Sequence, residues 1–148
     1  MIYTIGEIAK KMNVAPSTLR YYDKEGLLPF VERSEGGIRV FSDKDFSYLS
    51  IIHCMKQTGM SIKEIKNFID LVSQGDDSIP QRLELFQNQR EVVVSQIKKL
   101  QKTLDILDYK CWYYETASKK GSTNYVDNMS LEEMPDKYAM IRKNMDDI

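Results

Sequence analysis

A chain of 148 residues with a formal net charge of -1 has room for one moderate domain, or for a small domain plus an extension, and carries no global basic signature. Any nucleic-acid surface must therefore be local. No apolar run approaches the length of a membrane span, and two cysteines, Cys54 and Cys111, are too few for a disulfide scaffold.

Met1 to Thr4 runs into a capped helix rather than a basic leader and an apolar run, so the expected compartment is the reducing cytoplasm, with free thiols. Thr4 and Glu7 form a capping box, and Ile5, Ile8, Ala9 and Met12 make the buried stripe of the first helix. Asn13-Val14 is a tight break. Pro16 then suits the first position of a second helix that runs to about Glu25. Two short helices at this separation have helix-turn-helix spacing. Around the anchor Leu19, the second helix crowds Ser17, Thr18, Arg20, Tyr21, Tyr22 and Lys24 into one face. Short hydroxyls and a long guanidinium there suit phosphate or base-edge contacts, although one of the two tyrosines can be mostly core.

Gly26 ends that helix. Val31 to Val40 reads as a hairpin with Gly36-Gly37 at its tip and Arg33 and Arg39 astride it, a wing able to grip sugar-phosphate. Ser42 with Asp45 caps a third helix, roughly Asp43 to Thr58, closed by Gly59. Ser61 with Glu64 opens a fourth, which buries Ile62, Ile65, Phe68, Ile69 and Val72. Ser73 to Asp77 reads as a hinge-like loop.

Pro80 to Ser118 reads as one long helix. Leu83, Phe86, Arg90, Val93, Ile97, Leu100, Leu104, Leu107, Cys111 and Tyr114 alternate steps of three and four, and only Arg90 interrupts the apolar seam. The rod would be roughly 60 Å long at 1.5 Å per residue. No other segment is long enough to cover it, so the expected partner is a second copy in a homodimer; the alternative is a long helix packed inside a monomer. In the tail, Ser130 with Glu133 caps a short turn, Pro135 argues against a long helix, and Tyr138, Met140, Ile141 and Met145 can dock on the body or stay mobile. The expected fold is mostly α: a winged helix-turn-helix head (1–77), a coiled-coil dimerisation helix (78–119) and a short tail (120–148). With no hydroxyl–imidazole–carboxylate set, phosphate loop or metal-hydrolase motif, neither catalytic residues nor a cofactor are expected. A coiled-coil interaction protein is the alternative class, but it would need no Arg20, Arg33 and Arg39 arrangement.

Ile5-Gly6-Glu7-Ile8-Ala9, Val14 through Thr18 and Leu19-Arg20-Tyr21-Tyr22-Asp23-Lys24-Glu25-Gly26-Leu27-Leu28, followed by Arg33, Gly36, Gly37, Ile38, Arg39 and Phe41, resemble the head signature of the MerR family of transcriptional regulators. The position before the wing arginine, often aromatic in that family, is Ile38 here. The resemblance implies dimers joined by an antiparallel coiled coil. Each head would place its second helix in a major groove and its wing beside it, on a pseudo-palindromic operator between promoter elements. Bending and untwisting that DNA would realign the elements for RNA polymerase. Carried onto this chain, the DNA-binding residues are Ser17, Thr18, Arg20, Tyr21, Tyr22, Arg33 and Arg39, with Arg20 leading and the wing arginines as phosphate clamps.

Metal sensing in such proteins uses a thiolate cluster near the end of the rod, where this chain has only Cys111; no metal site is expected. Ile52-His53-Cys54-Met55-Lys56 and Thr58-Gly59-Met60-Ser61-Ile62 are similar to the third-helix region of the nitrosative- and aldehyde-sensing subgroup. That likeness implies a reactive thiol at Cys54, the alternative being a small buried hydrophobe. Cys111, on the seam, reads as core filling. An organic effector is the other option. Tyr109, Trp112, Tyr113 and Tyr114, with Tyr125 and Tyr138 from the tail, can form an aromatic wall for a flat or cationic ligand, or can weld the rod end to a head.

Overall fold

The computed structural model describes residues 1–146. It comprises two compact units, Met1–Val92 and Val93–Ile148. In the first, α1 (Ile5–Met12) starts on the Thr4 cap, where Glu7 N–H donates to Thr4 Oγ1 at 3.3 Å and Thr4 N–H donates to Glu7 Oε2 at 2.7 Å. The carboxylate accepting these bonds sits below its ordinary pKa, because they favour its charged form. α1 stops at Asn13, which takes a left-handed conformation with φ 56°; asparagine tolerates this better than most side chains. α2 (Pro16–Lys24) begins three residues later. Ala15 supplies no side-chain cap, and Pro16 has no N–H to leave unpaired.

The hairpin is present as β2 (Glu32–Arg33) and β3 (Arg39–Ser42), with a third strand, β1 (Ile2–Tyr3), that corrects the two-strand expectation. The antiparallel order is β1-β3-β2, with Tyr3 opposite Phe41 and Arg33 opposite Arg39. β1 is secured at Asp43, whose carboxylate accepts from the terminal ammonium at 2.8 Å, the Tyr3 hydroxyl at 2.7 Å and Lys11 Nζ at 3.3 Å. α3 (Asp43–Gln57) and α4 (Ile62–Ser73) carry the expected capping boxes at Ser42/Asp45 and Ser61/Glu64. Ile8, Leu19, Tyr22, Leu27, Phe41, Leu49, Ile52 and Ile65 form the middle of this core, each no more than 2% exposed.

The segment expected to be a hinge-like loop is instead helical. α4 runs through Ser73, and Gly75–Ser78 forms a 3-10 turn. The buried Ser78 hydroxyl hydrogen-bonds to the Leu71 and Gly75 carbonyls, which stiffens the junction. α5 (Ile79–Lys120) is a single 42-residue helix. The first unit extends into α5 because Leu85 packs on the head core, Phe86 meets Phe68 edge-on at 5.3 Å, and the Gln89 amide donates to Thr58. Phe86 is thus only partly free for the seam.

In the second unit the tail folds against its own rod through α6 (Thr123–Asp127), a 3-10 turn (Leu131–Glu133) on the Ser130/Glu133 box, and α7 (Asp136–Asp146). Pro135, expected to limit helix here, launches one: its carbonyl accepts from the N–H groups of Tyr138 and Ala139. Val126 and Met134 are buried against Tyr109, Tyr113 and Ala117, with Trp112, Met129, Tyr138 and Ile141 around them. Of the four residues expected to dock, Tyr138 and Ile141 do so, whereas Met140 and Met145 remain exposed. Among the described residues no helix is long and apolar enough to cross a membrane.

Candidate nucleic-acid interface

Two faces of α2 are set by its spacing. Leu19 and Tyr22, three residues apart, point inward and are 0% and 2% exposed. Ser17, Arg20, Tyr21 and Lys24 point outward and are exposed, and Thr18 is half-buried. Tyr22 therefore leaves the set of expected DNA contacts. Its ring fills the core, and its hydroxyl lies 2.8 Å from His53 Nδ1 on α3. Burial first, and then the neighbouring Tyr21, push the Tyr22 phenol above its ordinary pKa. The spacing from Leu19 was the signal that could have separated the two tyrosines.

The wing is braced from below by a residue with no role in the sequence reading. Register places Arg33 and Arg39 directly opposite one another, where like charges repel. Asp23 on α2 answers both: its carboxylate pairs closely with Arg39 Nη2 and lies 3.5 Å from Arg33 Nη2. Arg39 Nη1 also donates to the Val31 carbonyl at 3.1 Å, with Leu28 O at 3.5 Å, and the side chain is only 18% exposed. Arg39 thus helps to hold the wing on α2, and less of its guanidinium is open for the expected phosphate contact than of Arg33. Arg33 keeps an exposed guanidinium, part of which donates to Gly37 O at 2.9 Å. At the tip, Gly37 takes φ 76° and donates to Ser34 O, and Ile38 stands 70% exposed. The accessible set is Ser17, Thr18, Arg20, Tyr21, Lys24, Arg33 and Ile38: two hydroxyls, three cations, a phenol and an apolar wedge.

Cys54 lies on the exposed side of α3, so its thiol is not the buried filler of the alternative reading. His53 is engaged by Tyr22, which removes it as a partner for that thiol. Cys111 is likewise free and exposed on α5, so none of the described residues covers the seam position expected to fill a core. Among the described residues no group of three or more His, Cys, Asp or Glu side chains is placed to hold a metal ion.

The aromatic cluster of α5 is taken up by its own tail. Trp112 stacks on Tyr138 at 5.1 Å, and Tyr109 stacks on Trp112 at 6.1 Å. Arg142 is the clasp: Nε donates to the Tyr109 hydroxyl at 3.0 Å, and its two Nη atoms donate to Met129 O and Val126 O. The Tyr113 hydroxyl donates to Asp127 at 2.6 Å, and that bond, followed by burial, raises its pKa. These rings hold the tail on the rod of the same chain. The groove left beside them, about 340 Å³, is lined by Tyr109 and Tyr113 together with Lys110, Asp127, Arg142 and Met145.

Residues 3–71 match the family model described as MerR HTH family regulatory protein, and residues 46–109 match that of MerR, DNA binding. An uncharacterized HTH-type transcriptional regulator of Haemophilus influenzae is 46% identical over 136 residues, covering 92% of this chain and 98% of that protein. AdhR, an HTH-type transcriptional regulator of Bacillus subtilis, is 31% identical over 90 residues, covering 61% of this chain and 64% of its own. Among solved structures, HiNmlR, a MerR family regulator lacking the sensor domain and bound to promoter DNA, superimposes with a TM-score of 0.81 at 47% identity, covering 91% of this chain and all of that one.

Proposed function

Since this chain belongs to the MerR family of helix-turn-helix transcriptional regulators, we propose that it acts in the cytoplasm as a homodimer on a pseudo-palindromic promoter operator, bending and untwisting it so that RNA polymerase can engage. The observation that carries this reading is the division of labour at the head. Asp23 and Arg39 fix the wing on α2, leaving Arg20, Lys24 and Arg33 accessible. A rigid spacing between helix and wing is what a protein needs to impose twist on a stiff duplex. HiNmlR, bound to promoter DNA, lends further support. Arg20 reads or clamps the major groove; Arg33 and the Ile38 tip meet the backbone beside it.

The signal enters at Cys54. The exposed thiol adjoins His53, whose ring is hydrogen-bonded to Tyr22 in the middle of α2. Modification that shifts α3 therefore has a direct link to the helix on the DNA. The effector class is a small electrophile, such as an aldehyde or a nitrosating agent, that reacts with the thiolate.

Footprinting on the chain's own upstream DNA tests the reading. Arg20→Ala should weaken operator affinity by about 1–3 kcal/mol, the range for a single base-reading contact. The dimer should persist in sedimentation. Unchanged affinity would remove Arg20 from the interface, and equal binding to any duplex would favour the non-regulatory coiled-coil class.

A further inference from the structure

We infer that the cleft between α4 and the start of α5 binds a linear aliphatic polyamine, with its ammonium groups on Glu64 and Glu84 and its methylenes along the apolar floor. The cleft, about 500 Å³, lies wholly within the first compact unit. Helical spacing builds it. Glu64, Asn67 and Leu71 recur at three and four residues along one face of α4, and Gln81, Glu84, Asn88 and Val92 do the same along α5. Met60, 5% exposed, forms the floor with the half-buried Leu71 and Leu85. From Gln81 to Val92 the trough is roughly 16 Å long, at 1.5 Å per residue.

The walls carry one sign of charge. Two carboxylates line the cleft, and among the described residues no lysine, arginine or histidine does. Glu84, Asn67, Gln81 and Asn88 have no hydrogen bond or ion pair with the other described residues. Glu64 gives Oε2 to the Ser61 N–H at 2.7 Å and keeps Oε1 for a ligand. A compact metal ion finds no cage, because among the described residues no three acidic, histidine or cysteine side chains converge. A chain-like cation fits instead. Its ammonium groups bring several donors each, which the carboxylates and the free carboxamide oxygens accept. Its stem covers apolar surface that would otherwise face water.

The site is independent of the seam. Around α5 the cleft residues lie roughly 150° from Leu83, Phe86, Arg90 and Val93, so pairing along the seam leaves the cleft open. A ligand lying in it ties α4 to the first turns of α5, across the Gly75–Ser78 turn that joins them.

Calorimetry on the full chain tests this, with spermidine as the probe and no DNA present, since DNA itself collects polyamines. Binding should saturate at one site per chain, and n-butylamine at the same ionic strength should bind at least tenfold more weakly. Equal binding of the monoamine would overturn the two-ended site, and so would the lack of saturation. Glu84→Gln and Glu64→Gln should each weaken spermidine about three- to fivefold, and the two together more than tenfold. Glutamine can also complete a capping box, so Glu64→Gln removes the charge while α4 keeps its start; circular dichroism checks that each variant is folded. Glu115→Gln, on the far part of α5, should bind as the parent does. Full affinity in the double variant, or an equal loss in Glu115→Gln, would overturn the assignment to this cleft. Amide exchange gives a second readout. Spermidine should slow it in α4 and in the first turns of α5; unchanged exchange there would also defeat the proposal.

Discussion

Asp23→Asn is the sharpest probe of the head, because it removes one charge and little volume. Asp23 and Arg39 are 24% and 18% exposed, whereas Arg33 is 54% exposed and more distant from the carboxylate. Breaking a fully buried pair costs about 3–5 kcal/mol, and an exposed pair is worth at most about 1. Arg39 keeps its bond to the Val31 carbonyl, so it is not wholly orphaned. An intermediate cost of about 2 kcal/mol follows, most of it from Arg39. Urea unfolding followed by circular dichroism measures it, and amide exchange at β2 and β3 should show the wing loosening ahead of the rest of the head. A double-mutant cycle apportions the effect. Coupling with Arg39→Gln should reach about 1.5 kcal/mol, and coupling with Arg33→Gln should stay below about 0.5. A cost under about 0.5 kcal/mol for Asp23→Asn, or the larger coupling falling on Arg33, would refute the assignment of Arg39 as the structural arm and Arg33 as the accessible one.

Tyr22→Phe keeps the ring and deletes the bond to His53, so it should cost only about 1 kcal/mol in unfolding experiments while weakening the response to an electrophile. A normal response would exclude that bond as the link between α3 and α2. Cys54→Ser should abolish the transcriptional response to aldehydes or nitrosating agents and leave basal operator binding intact; a full response would dismiss the thiol. Asp43 is held well below the usual carboxylate range, first by the terminal ammonium, then by the Tyr3 hydroxyl and Lys11. A depressed folded pKa stabilises above the unfolded value of about 4 and is lost as pH falls toward the folded one. Asp43→Asn should therefore lower stability at neutral pH and flatten the acid limb of the stability curve, with the two proteins converging at the acid end.

Local chemistry was legible in the sequence, and long-range pairing was not. Thr4/Glu7, Ser42/Asp45, Ser61/Glu64 and Ser130/Glu133 all read as capping boxes, and all four are formed, because the motif is complete within four residues. β1 escaped notice because it is two residues long and exists only through its pairing with β3, some forty residues away. Gly75-Asp76-Asp77 looked like loop; the Ser78 hydroxyl, reaching back to Leu71, turns it into helix. Asp23 was visible but unassigned, since its partners depend on the hairpin register that sets Arg33 against Arg39. The tail segments are each too short to show a stripe, and their order comes from the Arg142 clasp and the tyrosines of α5.

The tail lies along Tyr109, Tyr113 and Ala117, while Leu104, Leu107 and Tyr114 look the other way from the same helix. At 100° per residue the two rows are roughly 130° apart on average. One stretch of polypeptide therefore serves two masters without compromise. In the dimer proposed above, changes to the C-terminal cap fall on a side of α5 apart from the seam. Within that proposal, the cap can vary while the seam keeps its residues.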